Sequence, residues 1–103
     1  MNFSLIVCTY MRSKALITLL ESVKEQTLYP NEIIIVDGST NTKTKEVLSD
    51  ESYENLRYYL VDENDRGLTK QRNFGIAKVT SDSEVIAFVD DDTKLSKNYF
   101  KVL

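Results

Sequence analysis

Two nearly continuous apolar runs, Phe3 to Cys8 and Glu32 to Val36, constrain this chain more than any other feature. A strand with one face in water alternates apolar and polar residues. These runs do not alternate: Ser4 is the one polar member of the first, and the second holds three isoleucines and a valine. Such a pattern marks strands buried on both faces. Between them, Ser13 is placed to cap a helix whose Leu16, Leu19, Leu20 and Val23 fall on one side, and Pro30 separates that helix from the second strand. A weaker polar helix around Lys43 to Asp50 follows, then a third strand from Leu56 to Val61 and a helix from about Leu68 to Val79. Glu84 to Val89 reads as a fourth, buried strand, and Ser96 as the start of a last helix. Strands joined through helices imply an α/β fold, a mostly parallel sheet with helices on both faces.

With 103 residues the chain is one domain, small for a complete α/β enzyme. Its net charge of −3 argues against a broad nucleic-acid surface, and no nucleic-acid partner is expected. The single cysteine, Cys8, excludes an internal disulfide and reads as a buried, inert thiol. Histidine is absent, which removes His-based triads and His metal ligands. Strand-like sequence begins almost at the first residue and no apolar run is long enough to span a bilayer, so a cytoplasmic location is expected.

In parallel sheets, ligands bind beyond the carboxyl ends of the strands. Thr9-Tyr10 follows the first strand, Asp37 the second, and Asp90-Asp91-Asp92 the fourth, so all three groups are expected on one sheet edge. Adjacent carboxylates repel one another, and a hard divalent cation, Mg²⁺ or Mn²⁺, held between them and a phosphate would remove that repulsion. The plainer alternative is a solvated turn with Asp92 or Ser96 capping a helix. Asp37 can accept the ring N–H of a pyrimidine, or close an Asx turn. Tyr10 can stack on a base or sit on a rim, and Arg12 and Lys14 bring positive charge to a helix start. Further on, Gly67 relaxes the backbone before a helix carrying Lys70 and Arg72, of which Lys70 reads as the surface residue. Gly75, in mid-helix, suggests close packing against a neighbour.

Five blocks together resemble family 2 glycosyltransferases: Val7 to Arg12, Ser22 to Gln26, Ile34 to Thr40, Gly67 to Gly75 and Phe88 to Asp92. Their order and spacing are similar too, across essentially the whole chain. The resemblance implies a GT-A fold, a nucleoside-diphosphate sugar donor with a UDP-sugar favoured, a Mn²⁺ or Mg²⁺ cofactor, and inversion at the anomeric carbon. It places Thr9, Tyr10, Arg12, Asp37, Arg72 and Asp91 at the nucleotide, and Asp90 and Asp92 on the metal as the outer acids of a DxD motif. Asp91 would contact the ribose or share the metal. Met11 departs from the usual Asn, Asp65 from Asn, Asn41 from Asp, and Lys70-Gln71 from small residues.

Residues 1–103 accordingly read as the donor-binding part of a GT-A domain whose acceptor half and general base lie beyond Leu103. Such a chain is expected to be inactive alone and to self-associate through a truncated edge. The acceptor, a saccharide, lipid or protein, is unspecified, and the full-length enzyme is expected in the cytoplasm or at the inner membrane face. Two enzyme alternatives fit less well. A sugar nucleotidylyltransferase needs a Gly-rich loop after the first strand, and Cys8 to Arg12 contains no Gly. A haloacid-dehalogenase-type phosphatase places its Asp-x-Asp-x-Thr after the first strand, not last. A non-catalytic nucleotide-binding or assembly module remains the third alternative.

Overall fold

The computed structural model describes residues 2–93 and residue 95. Four strands, β1 (Phe3–Thr9), β2 (Glu32–Asp37), β3 (Leu56–Leu60) and β4 (Val85–Phe88), alternate with helices α1 (Ser13–Lys24), α2 (Lys43–Ser49) and α3 (Leu68–Lys78). All paired strands run parallel, in the order β3-β2-β1-β4. The chain therefore moves outward from β1 through β2 to β3, then returns to the other side of β1. That reversal opens a crevice at the carboxyl ends of β1 and β4, where parallel sheets bind ligands.

Alternation along β1 and β2 divides the core. Phe3, Leu5, Val7, Ile33 and Ile35 pack with Leu16, Leu19, Leu20 and Val23 of α1 and Leu48 of α2. Ile6, Ile34 and Val36 face the opposite way and pack with Phe74 of α3 and Val61. Every residue of β2 is buried, as the apolar run implied. Gly75 shows why α3 carries a glycine: an added Cβ would lie 2.8 Å from Ile6 Cγ2 and 3.3 Å from Val36 Cγ2. At Gly67 the reason is conformational, since φ is 116°, a region that side chains disfavour.

Two expectations need correction. Ser13 does not cap α1; Arg12 occupies the cap position without a side-chain bond, and Ser13 is the first, buried, helical residue. The run before the triple aspartate does form β4, but it is not buried: Val85, Ile86 and Phe88 are 36–40% exposed. A strand's burial depends on what covers it, and among the described residues nothing pairs with the outer edge of β4. The helix expected from Ser96 lies outside the described residues.

Candidate functional site

Thr9 and Asp37 are partners in the β1–β2 register, so the ends of both strands meet side by side. The Gly38 N–H donates to the Thr9 carbonyl at 2.9 Å and continues the ladder past the strands. The Thr9 hydroxyl donates to Asp91 Oδ2 at 2.8 Å, while Arg12 Nη1 donates to Asp91 Oδ1 at 3.2 Å. Both oxygens of Asp91 are thus engaged, and its side chain is only 8% exposed. Arg12 also stands 3.8 Å from Asp92 Oδ2, whose side chain is 64% exposed. The clustered charge is partly neutralised by a guanidinium of the same chain. Thr9, Arg12 and the aspartate turn meet at one end of the sheet, as their positions after β1 and β4 implied.

Thr9, Arg12 and Asp91 border an open cavity of about 380 Å³ whose walls also include Tyr10, Arg66, Leu68 and Gln71. Tyr10 is 49% exposed and its ring is available to a flat ligand. Gln71, one turn into α3, is buried and holds the cleft together. Its amide donates to the carbonyls of Thr9 at 3.2 Å and Val36 at 2.9 Å, and its carbonyl accepts from Gly67 N–H at 3.1 Å. Arg66 Nε donates to the Gly38 carbonyl at 2.5 Å. Sequence reasoning missed both residues. The departure at Gln71 from the small residues usual in similar chains was the one signal present for it.

Asp37 forms the Asx turn that was the alternative to base contact. It is fully buried; Oδ1 accepts from Ser39 N–H at 2.9 Å and from the Ser39 hydroxyl at 2.5 Å, and Oδ2 accepts from the Tyr58 hydroxyl at 2.5 Å. In this arrangement it closes a turn and is covered by Tyr58. Burial, and then the bond to the Asp37 carboxylate, push the Tyr58 hydroxyl well above the usual tyrosine range.

Arg72 does not border this cavity. Its guanidinium carbon lies 5.4 Å from the Phe88 ring centre, in a narrow crevice between α3 and β4 that Asp90 also lines. Lys70 is exposed on α3, as expected. Cys8 borders both the cavity and the crevice and is half-buried rather than buried. Burial pushes its thiol up to about 11, against the opposing pull of Arg72, so it is protonated and unreactive near neutrality. Among the described residues no three carboxylate, thiol or imidazole groups gather as a ready-made metal cage. With Asp91 turned inward, Asp90 and Asp92 are the exposed carboxylates of the turn.

Comparisons with known proteins agree with this fold. The chain is 31% identical over 96 residues to the O-antigen chain rhamnosyltransferase RfbN of Salmonella typhimurium, covering 93% of this chain and 30% of that protein. It is 32% identical over 107 residues to the poly(ribitol-phosphate) beta-N-acetylglucosaminyltransferase TarS of Staphylococcus aureus, of which it spans 18%. Its fold superposes on a crystallised S. aureus TarS fragment in complex with UDP-GlcNAc with a TM-score of 0.78 and 33% identity, covering 99% of this chain and 30% of that one. The mannosyltransferase PcManGT of Pyrobaculum calidifontis, in complex with GDP-Man and Mn²⁺, superposes with a TM-score of 0.70 and 26% identity, over 88% of this chain and 27% of that one. The architecture is thus the GT-A α/β fold. A family profile described as "Glycosyl transferase family 2" matches residues 4–103, and the chain belongs to that family.

Proposed function

We propose that this chain forms the donor site of an inverting glycosyltransferase that moves a sugar from a nucleoside diphosphate to an acceptor hydroxyl. The observation that carries the reading is the Thr9–Asp91–Arg12 linkage, which fastens the aspartate turn to the mouth of the cavity at the sheet's switch point. Tyr10 offers a face to the base, and Thr9 and Arg12 border the nucleotide. Arg72 approaches it from the crevice beside Asp90. Asp91 orders the turn from within and leaves Asp90 and Asp92 to face the diphosphate. UDP and UDP-GlcNAc in TarS, and GDP-Man in PcManGT, support a nucleoside-diphosphate sugar as the ligand class.

The donor set also suits Mg²⁺ or Mn²⁺. Mg²⁺ is commonly held by one or two carboxylates together with substrate phosphates and water, and Asp90 and Asp92 supply two carboxylates. When bound, the ion would neutralise charge on the leaving diphosphate. In the transfer, the acceptor oxygen attacks the anomeric carbon, the bond to the diphosphate breaks, and a carboxylate base takes the hydroxyl proton. None of the residues assigned here is that base. The acceptor is a saccharide, lipid or protein hydroxyl. Among the described residues no helix is long and apolar enough to cross a membrane, and we place the reaction in the cytoplasm or at the inner membrane face.

The metal assignment is tested by calorimetry of UDP with and without Mn²⁺. Asp92→Ala should abolish the Mn²⁺-dependent part of binding, and Asp90→Ala should weaken it, while circular dichroism stays unchanged. Equal UDP affinity in Asp92→Ala and the native protein with Mn²⁺ present would refute it.

A further inference from the structure

We infer that Arg12 is the aspartate turn's own counter-ion, which opposes binding of a free divalent cation until a diphosphate takes the guanidinium over. The inference rests on the donor-site reading above. One nitrogen, Arg12 Nη1, lies 3.2 Å from Asp91 Oδ1 and 3.8 Å from Asp92 Oδ2. Among the described residues no other cation stands within ion-pair distance of the turn. Asp91 gives its second oxygen to the Thr9 hydroxyl and its side chain is only 8% exposed, so that contact is fixed. The contact to Asp92 is longer and joins two exposed side chains, so it opens to solvent at little cost. The guanidinium therefore shares a carboxylate with the site assigned to the metal.

Helix α1 gives no reason for a cation here. Arg12 is its N-cap residue, makes no side-chain cap bond, and is followed by a first turn without an acid. Positive charge at a helix N-terminus opposes the helix dipole. The aspartate turn offsets that cost, and in return loses part of its negative charge. A divalent cation that approaches Asp92 alone meets the guanidinium as well as the carboxylate, and is repelled by it. A diphosphate changes the balance. Its oxygens accept the paired donors of an arginine and also complete the shell of a hard cation. Arg12 borders the cavity assigned to the nucleotide, so it can turn from Asp92 to the phosphates without leaving the site. Cation and nucleotide then bind more tightly together than separately, and Arg12 supplies part of that coupling.

The test compares the native protein with Arg12→Met, which is neutral, and Arg12→Lys, which keeps the charge. Mn²⁺ alone is titrated by the electron paramagnetic resonance signal of the free ion, and UDP is titrated by calorimetry in excess Mn²⁺. Arg12→Met should bind Mn²⁺ alone about threefold or more tightly than the native protein, yet bind UDP roughly tenfold more weakly. Arg12→Lys should stay close to the native protein for Mn²⁺ alone. Opposite signs for the two ligands are the signature, because a residue that merely braces the turn would lose both affinities together. Loss of both in Arg12→Met overturns the inference. So does an unchanged affinity for either ligand, or an Arg12→Lys variant that binds Mn²⁺ as tightly as Arg12→Met. Loss of the fold in Arg12→Met, seen by circular dichroism, would mark Arg12 as a structural brace and overturn it too. A native protein that binds no UDP in Mn²⁺ would instead remove the donor-site reading, and the inference with it.

Discussion

Met11 holds φ at 55°, in the left-handed region that disfavours side chains other than those of Gly, Asn and Asp. The conformation serves the cleft, because it aims the Met11 N–H at Ser39 Oγ, 2.8 Å away, and ties the loop after β1 to the loop after β2. Ser39 is in turn held by Asp37, so one strained residue completes a chain of contacts across two strand ends. Asn, which the family resemblance leads one to expect here, adopts this backbone at lower cost. Met11→Asn should therefore stabilise the protein by about 0.5–1 kcal/mol, seen as a higher urea midpoint at unchanged slope. A midpoint that stays or falls would mean that the half-exposed methionine side chain contributes more than the strain costs.

At the scale of elements, the opposite end of the sheet is organised around Glu32, the first residue of β2. Its Oε2 accepts from Ser4 Oγ at 2.5 Å, from Thr80 N–H at 2.9 Å and from the Thr80 hydroxyl at 3.0 Å, and Arg57 of β3 pairs with Oε1. One carboxylate thus joins β1, β2, β3 and the segment after α3. Burial alone would raise its pKa, but the bonds from Ser4, Thr80 and Arg57 outweigh burial and hold it below the ordinary value of 4.5. A lowered carboxylate contributes stability that is present above the unfolded pKa and is lost as pH falls through the folded one. Glu32→Gln should cost about 1–3 kcal/mol near neutrality and flatten the loss of stability as pH falls below the ordinary glutamate value of 4.5. Urea melts from neutrality through that range measure both effects. An acid slope as steep in the variant as in the native protein would exclude Glu32 as its source.

Taken as a whole, the molecule leaves apolar groups in water on both outer strands: Leu60 of β3 is 43% exposed, and β4 exposes three such residues. Beside Ile86 and Phe88 of β4, Leu68 of α3, which lines a crevice with Phe88, is 56% exposed. An apolar surface beside an open strand edge favours pairing with another chain. Self-association is therefore expected, visible as a sedimentation coefficient that rises with concentration. Ile86→Lys should shift the protein toward monomer with little change in thermal midpoint. A native protein that sediments as a monomer at every concentration would show that this edge is inert.

Continuous apolar runs and the helical spacing of Leu16, Leu19, Leu20 and Val23 determined the parallel α/β architecture, because burial on two faces cannot be encoded with alternating polar residues. Chain order alone also determined that Thr9, Asp37 and Asp90 to Asp92 share one edge, since parallel strands all end on the same side. Side-chain partners were not legible, because they come from residues far apart in the chain. Tyr58 seals Asp37 from 21 positions away, Gln71 braces Thr9 from 62, and Thr9 turns Asp91 inward from 82. Arg66 drew no notice in the sequence, and only packing set it against Gly38. The apolar run of β4 specified a strand but not its burial, which depends on what lies beside and above it. Local pattern determines which elements form and which way they run; only tertiary contact decides which polar groups are spent inside the protein and which remain free to meet a ligand.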